Sequence, residues 1–553
     1  MSCESWMDQS ASQRPFSPRI LTHPAVRILL VLISAALLVC ALPKADIGWL
    51  GWIALVPLLL ACHDAAPLPA AGLGLVTGVT ASFGIYGWLF EVPGFDLRHA
   101  VVLALYVGAY PAIWCAALAW TRRRAISFLP AAPVLWVAVD YLRAHAGFLA
   151  LPWGTLAQTQ HRNLAILQIA SIGGEAAVTL LVAFGNVALA CWILRRERQA
   201  VLLTSMVLVG VHLWGAARLY AEPAGRTVTV AAIQANIQLH ERTTEQGRQN
   251  SLDRLERLTR AAAAAQPAVI VWPESAIPGE LHADRDLVAR LQRIPQETGV
   301  PLVVGSAQVE KFTRPEPRMT VERRLFNAAY LVRPEGPLLP PYRKRVLVPF
   351  AEYRPHQDVL PWPEWLVPRV TDMSPGDGAQ LFQLRDDLAI GPLICWENLF
   401  APLSREAAGN GAQLLVQLTN DVWFGQSAAP HQHNLMSIIR AVENRVPVVI
   451  ASNAGPSQII DGYGRIIAST EHTFMEGAIA ADIHIGEAGT VYTKTGDLWM
   501  CGILLLAAAG LWRGKTKAAR VRAEPSPVSL AVRQGIEPVA RRSDIPTTKG
   551  LTS

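Results

Sequence analysis

The sequence predicts a polytopic α-helical membrane bundle of about eight spans that carries one large α/β domain. Three observations lead there. The chain of 553 residues is 51% hydrophobic and only 17% charged, which is too apolar for an ordinary soluble protein. Its apolar runs are separated by clusters of arginine. Between residues 226 and 497 the texture changes to short β-branched runs alternating with amphipathic helices. The formal net charge of +6 is modest, and the arginines gather at the ends of apolar runs. That distribution speaks for membrane topology and against nucleic-acid binding.

Taken in order, residues 1–24 are polar, contain Arg14 and Arg19, and lack a small-residue cleavage site, so they read as a cytoplasmic tail and not a cleaved signal. Apolar runs at 25–42, 47–62, 68–90, 100–120, 126–142, 172–194 and 200–217 make a seven-span bundle over 25–218. Some are short for a hydrocarbon core of about 30 Å. Arg122-Arg123-Arg124 follows the fourth run and Arg195-Arg196-Glu197-Arg198 the sixth, so both loops are cytoplasmic if the N-terminus is. Seven spans leave the chain outside, and an eighth at 498–512 returns it to the basic segment of Arg513, Lys515, Lys517 and Arg520. Residues 513–553 have no apolar period and are expected to be a disordered cytoplasmic tail. The outward loop from Asp140 and Arg143 through Phe148 to Trp153 and Gly154 suits either a lipid entrance or an interfacial aromatic belt.

Within the 226–497 domain, strands are expected at 227–234, 268–272, 301–307, 325–332, 388–395, 413–419 and 447–453. Helices are expected at 245–265, 283–297, 399–409 and 430–444. Cys395 is the only one of the seven cysteines in this domain, so neither a disulfide framework nor a CxxC metal site can form there. It ends an apolar strand, a common way to present a nucleophile, although a lone cysteine on such a strand is also an ordinary core residue. Glu274 ends a second apolar strand, where an unpaired carboxylate is costly, and Lys344 lies between two arginines. Together the three have a chemical logic. A free thiol titrates near 8.5 and needs a base or a nearby cation, Glu274 can take its proton, and Lys344 can steady a thiolate or an oxyanion.

These residues sit in recognisable motifs: Val271-Trp272-Pro273-Glu274-Ser275, Tyr342-Arg343-Lys344 leading to Leu347-Val348-Pro349-Phe350-Ala351-Glu352-Tyr353, Ile394-Cys395-Trp396-Glu397, and Thr419-Asn420-Asp421-Val422-Trp423-Phe424-Gly425. His431-Gln432-His433 and Arg440-Ala441-Val442-Glu443 follow. In these the chain resembles the nitrilase, or carbon-nitrogen hydrolase, superfamily and, within it, the membrane-bound branch of apolipoprotein N-acyltransferases. The resemblance covers everything but the two tails. It implies a nitrilase-like αββα sandwich in which Glu274 is the general base, Lys344 the oxyanion-stabilising cation and Cys395 the nucleophile. Glu352 matches a second glutamate that supports the triad, and Asn327 an asparagine near the lysine. Glu397 matches a carboxylate that orients the active-site loop, a role that stands beside its plain reading as a favourable charge at a helix N-terminus.

No cofactor is implied, and His431 and His433 have no third ligand beside them, so no metal is expected. The chain departs from the family at Trp396, where tyrosine is usual, at Ala351, where glycine is usual, and at Val446 and Ile450, where arginines are common; those last two departures are expected to bear on headgroup recognition or on loop anchoring. The implied reaction takes an acyl group from a phospholipid donor through a Cys395 thioester to the α-amine of a diacylglyceryl-apolipoprotein acceptor. The implied setting is the bacterial inner membrane, with the catalytic domain facing the periplasm and the chain a monomer. Residues 359–368, rich in proline and apolar side chains, suit a membrane-dipping lid better than a regular core element. Two rival functions stand beside it: a membrane-anchored amidase that uses the same three residues with water as acceptor, and a non-enzymatic membrane scaffold, against which the intact Glu274, Lys344 and Cys395 speak.

Overall fold

The computed structural model describes residues 18–523 apart from residues 125, 221–224, 278, 315–319, 368–371 and 487–488. Most of both expected tails, 1–17 and 524–553, lies outside the described residues. The N-terminal region is helical: α1 (Pro24–Cys40), α2 (Val56–Ala61), α3 (Pro67–Ile85), α4 (Leu97–Arg122), α5 (Phe128–Ala144), α6 (Leu164–Leu167), α7 (Ala170–Ile193) and α8 (Arg198–Tyr220). Proline occupies the first turn of α1 and α3, where its missing N–H costs nothing. Asp96 caps α4 by accepting hydrogen bonds from the backbone of Arg98 at 2.9 Å and His99 at 3.4 Å.

Among the described residues four helices, α3, α4, α7 and α8, are long and apolar enough to cross a membrane, with shorter apolar helices at Pro24–Cys40, Gly48–Ala61 and Leu498–Ala509, so the expected count of eight spans is not confirmed. The second expected span is broken: a 3-10 turn at Gly48–Trp52 precedes the six-residue α2. Asn186 of α7 makes the break tolerable. Its amide donates to Gly51 O at 2.8 Å and its carbonyl accepts from Leu55 N at 2.8 Å, supplying bonds that a continuous helix would have made itself.

Among the described residues the second region holds twelve strands: β1 (Arg226–Gln234), β2 (Ile270–Val271), β3 (Leu302–Arg314), β4 (Thr320–Val332), β5 (Tyr342–Arg343), β6 (Phe382–Arg385), β7 (Leu388–Ile394), β8 (Leu414–Thr419), β9 (Val448–Ser452), β10 (Gln458–Ile460), β11 (Ile466–Ser469) and β12 (Gly477–Ile485). Its helices are α9 (Glu245–Ala263), α10 (Arg285–Thr298), α11 (Ala401–Gly409), α12 (Ala429–Asn444) and α13 (Val491–Thr495), and α14 (Leu498–Ala523) follows, running past the expected end of the last span. The strands form two six-stranded sheets, ordered β12-β1-β2-β3-β4-β5 and β11-β10-β9-β8-β7-β6. In each, a parallel trio is linked through helices, β1-β2-β3 by α9 and α10, and β7-β8-β9 by α11 and α12.

Alternation along the strands builds the layers. Val228, Val230 and Ala232 of β1 point between the sheets toward Leu414, Val416 and Leu418 of β8, while Ala231 and Ile233 pack outward with Leu255 of α9 and Leu291 of α10. On the other sheet Val448 and Ile450 face outward into a cluster that contains Leu435, Ile438 and Val442 of α12 together with Ile166, Leu167 and Val178 of the bundle. The sandwich and the bundle therefore share one apolar core. Within it α12 is buried at every residue except His431, despite carrying Gln432, His433, Asn434, Ser437, Arg440, Glu443 and Asn444.

Candidate active site

Three strand ends bring the chemistry together. After β2, Trp272 is fully buried and donates its indole N–H to Thr259 at 2.8 Å, which fixes the turn that presents Glu274. Gly305 of β3 lies against this turn, and a Cβ there would come within 2.5 Å of Pro273 O and 2.8 Å of the Glu274 Cα, so only glycine permits the approach. Asn327 of β4 donates its amide to Glu274 Oε1 at 2.6 Å, and its backbone carbonyl accepts the Lys344 N–H at 2.8 Å. Lys344 follows β5, and its ammonium donates to Glu352 Oε1 at 2.8 Å with no side-chain exposure. Cys395 follows β7 with φ 55°, a left-handed conformation that an L-residue adopts only when its surroundings impose it.

The electrostatics are those of a dry site. Burial is the largest influence on Glu274 and raises it above the ordinary carboxylate value, with Lys344 and the Asn327 bond pulling down and Glu352 and Asp421 pushing up. Burial, then the charge of Glu274, also lifts the Cys395 thiol well above its usual value, against the pull of Lys344. Burial works against the Lys344 charge, but Cys395, Glu352 and Glu274 outweigh it and keep the ammonium protonated. The site therefore combines a thiol held above its usual value, a firm cation and a carboxylate whose basicity exceeds that of a solvated one.

Glu352 and Glu397 hold this arrangement. Glu352 bonds Lys344 through one oxygen and accepts Val348 N–H through the other at 2.7 Å. Glu397 is completely buried and accepts from Tyr342 OH at 2.9 Å, Arg345 N at 2.6 Å, Val346 N at 3.1 Å and Ile394 N at 2.8 Å. It is thus more than a helix N-terminal charge, because it fastens the lysine segment to the cysteine turn. Asn327 bonds the glutamate with its side chain and the lysine with its backbone.

Several polar residues escaped the sequence reading. Asn398 donates to Gln417, His433 O and Ser437, and Gln417 in turn donates to Cys395 O at 3.3 Å. Asp421 accepts from Ser452 at 2.7 Å and pairs with His433 at 3.2 Å, and the His433 ring stacks on Trp153 of the bundle, whose indole donates to Gln432 at 2.8 Å. Arg242 donates to Ser275 O at 2.7 Å beside Glu274. The Asn-Asp-Val-Trp-Phe-Gly and His-Gln-His motifs were visible, but only the tertiary fold shows them as the polar seam behind Cys395.

The 359–367 stretch has no regular secondary structure, and Val359, Leu360 and Trp365 are exposed. Trp362 packs on Phe350, and Phe148 from the bundle loop packs on Phe350, His356 and Trp362, so that loop and this segment form one aromatic cluster beside the lysine segment. Trp396 donates to Val346 O at 2.7 Å. Val446 and Ile450 are fully buried in the shared core, which corrects the expectation that these departures bear on headgroup recognition: apolar side chains stand there because the positions are internal.

Residues 229–492 match the carbon-nitrogen hydrolase family model, and residues 34–188 match that of the apolipoprotein N-acyltransferase N-terminal domain. The chain is 37% identical to the apolipoprotein N-acyltransferase of Geobacter metallireducens over 88% of this chain and 95% of that one. It is 29% identical to that of Gloeobacter violaceus over 87% and 92%. Among solved structures, an amidase from Nesterenkonia sp. aligns at 18% identity and a TM-score of 0.34, covering 47% of this chain and 92% of that chain. With two family models matched in order and full-length relatives on both sides of the junction, the chain belongs to the apolipoprotein N-acyltransferase family.

Proposed function

We propose that this protein moves a fatty acyl group from a phospholipid to the N-terminal α-amine of a diacylglyceryl-apolipoprotein, through a thioester on Cys395. Glu274 takes the thiol proton as sulfur bonds to the ester carbonyl carbon, and Lys344 stabilises the oxyanion that forms. Collapse of that intermediate breaks the ester C–O bond, and the leaving lysophospholipid receives the proton from Glu274. In the second half the acceptor amine attacks the thioester carbonyl carbon and forms a C–N bond as Glu274 accepts an amine proton, and collapse of that intermediate breaks the C–S bond, the leaving sulfur taking the proton from Glu274 to regenerate the Cys395 thiol. Glu352 and Asn327 hold the cation and the base in place, and Glu397 holds the two segments that carry Lys344 and Cys395.

The observation that carries this reading is the strained Cys395 turn beside the buried Lys344 and Glu274, in a domain whose core is continuous with an apolar bundle. A membrane-bound donor needs no passage through water, and the apolar 359–367 segment is suited to keep water from the thioester. The orientation proposed is that of the bacterial inner membrane with the catalytic domain on the periplasmic side, as the arginine-rich loops at the opposite ends of the helices favour. Intact-protein mass spectrometry tests the reaction. Wild-type protein incubated with phospholipid is expected to gain one fatty-acyl mass that a diacylated lipopeptide discharges, and Cys395→Ala is expected to gain none. A folded wild-type protein that stays unmodified with several phospholipids would overturn the reading.

A further inference from the structure

Away from the catalytic site, three arginines gather where α8 ends. Arg445 closes α12 in a left-handed conformation, φ 55°, at a position where glycine is the usual residue. The neighbouring chain accommodates it, since a Cβ on Gly462 would approach the Arg445 carbonyl carbon to 3.0 Å. The Arg445 guanidinium donates to Gly462 O at 3.1 Å and lies over the Tyr463 ring at 4.2 Å, while its Nε and Nη2 have no hydrogen-bond partner among the described residues. Arg465 lies over the same ring at 5.3 Å, pairs with Asp461 at 3.1 Å and donates to Leu219 O at the end of α8. Arg218, exposed on the last turn of α8, stands close enough to repel Arg445. Burial first, and then this like charge against the pull of Tyr463 and Asp461, brings Arg445 down to about 10. Three cations thus share one paired carboxylate.

The surroundings indicate what the surplus charge meets. Along α8 only Gly215 is buried, and as an apolar membrane helix its outer flank faces lipid. Tyr220 at its end and Ile466 and Ile467 on β11 are also exposed, so the cations are bordered by apolar side chains at the level where headgroups begin. The turn that carries Tyr463 is fixed from beneath, because Gln168 of the bundle donates to Tyr463 O at 3.1 Å and Asp461 accepts from Tyr463 N and Arg465 N at 2.8 Å. We propose that Arg218, Arg445 and Arg465 form a seat for the phosphate of a bilayer phospholipid, which clamps the β10–β11 turn of the catalytic domain to the membrane surface. This seat is separate from the acyl-transfer site and does not depend on the proposed reaction.

Native mass spectrometry of the delipidated full-length protein tests it, with phosphatidic acid and a diacylglycerol of the same chains as probes. Wild-type protein is expected to retain phosphatidic acid over diacylglycerol, and Arg218→Gln or Arg465→Gln to weaken phosphatidic acid binding by about fivefold each. Arg218→Gln changes an exposed side chain and keeps the test open if the other variant folds poorly, and unchanged acyl-enzyme formation in it separates this seat from the active site. Equal retention by wild type and Arg218→Gln would overturn the proposal. Displacement of the bound lipid by millimolar inorganic phosphate would overturn the commitment to a lipid, and resistance to it supports that commitment.

Discussion

The Asn327 amide donates a 2.6 Å hydrogen bond to the Glu274 carboxylate. Because a donor favours the ionised acid, its loss raises the proton affinity of a carboxyl already raised by burial. Asn327→Leu is expected to slow acyl-enzyme formation about tenfold at neutral pH, the equivalent of ~1.4 kcal/mol. The acidic limb of its pH–rate profile should move to higher pH. Burst kinetics across pH measure both, and an unmoved limb would remove Asn327 from the proton-transfer chemistry.

Glu397 receives four hydrogen bonds while completely buried. Glu397→Gln turns one acceptor into a donor facing N–H groups, so it should cost about 2–4 kcal/mol of stability. The loss should be visible as a lowered unfolding midpoint together with slower acylation. A variant with wild-type stability but impaired acylation would instead point to direct contact with substrate.

Trp365 is exposed on the apolar segment, and Arg98 of the bundle lies over its ring at 5.8 Å. If the segment admits lipid, Trp365→Ala should raise the KM for phospholipid by about tenfold while acylation of Cys395 by a small soluble ester stays unchanged. An equal loss with both donors would mean that the segment supports the site without choosing its substrate.

Glu443 of α12 shares Arg440 with Glu175 of α7, and burial lifts it to about 8 despite that cation. The folded state then holds a proton that the unfolded chain has released by about pH 5, so stability falls as pH rises from there through 8. Thermal unfolding of the wild type should show that decline, and Glu443→Gln should flatten it. A pH dependence identical in the two proteins would assign the proton elsewhere.

Much of this molecule is legible in its residues. β7 reads plainly because 388–394 is an unbroken apolar run, and α9 because its leucines recur at helical spacing. β5 and β6 were missed because two and four residues carry no periodicity, and β12 because Gly477, Ala478, Ala480 and Ala481 have little strand propensity. The second membrane run misled for a different reason. Hydropathy reports that 47–62 avoids water but says nothing of whether its backbone is helical, and Asn186, more than a hundred residues away, decides that. In the candidate site, Glu274, Lys344 and Cys395 stood out by residue type, whereas Asn398, Gln417 and Asp421 look like any loop or strand polar residue until the fold buries them together.

The burial of α12 on both sides has a consequence for how such a protein can be made. A helix with seven buried polar or charged residues and one exposed position cannot be the surface of a free domain, because Glu175 and Trp153 from the bundle hold parts of this face that water would otherwise solvate. Cutting the chain at residue 225 should therefore yield an aggregating fragment and no soluble enzyme. The chain runs from N- to C-terminus with α1–α8 first, so the face that α12 docks on precedes the catalytic half in synthesis, and the bundle is the surface on which that half completes its fold.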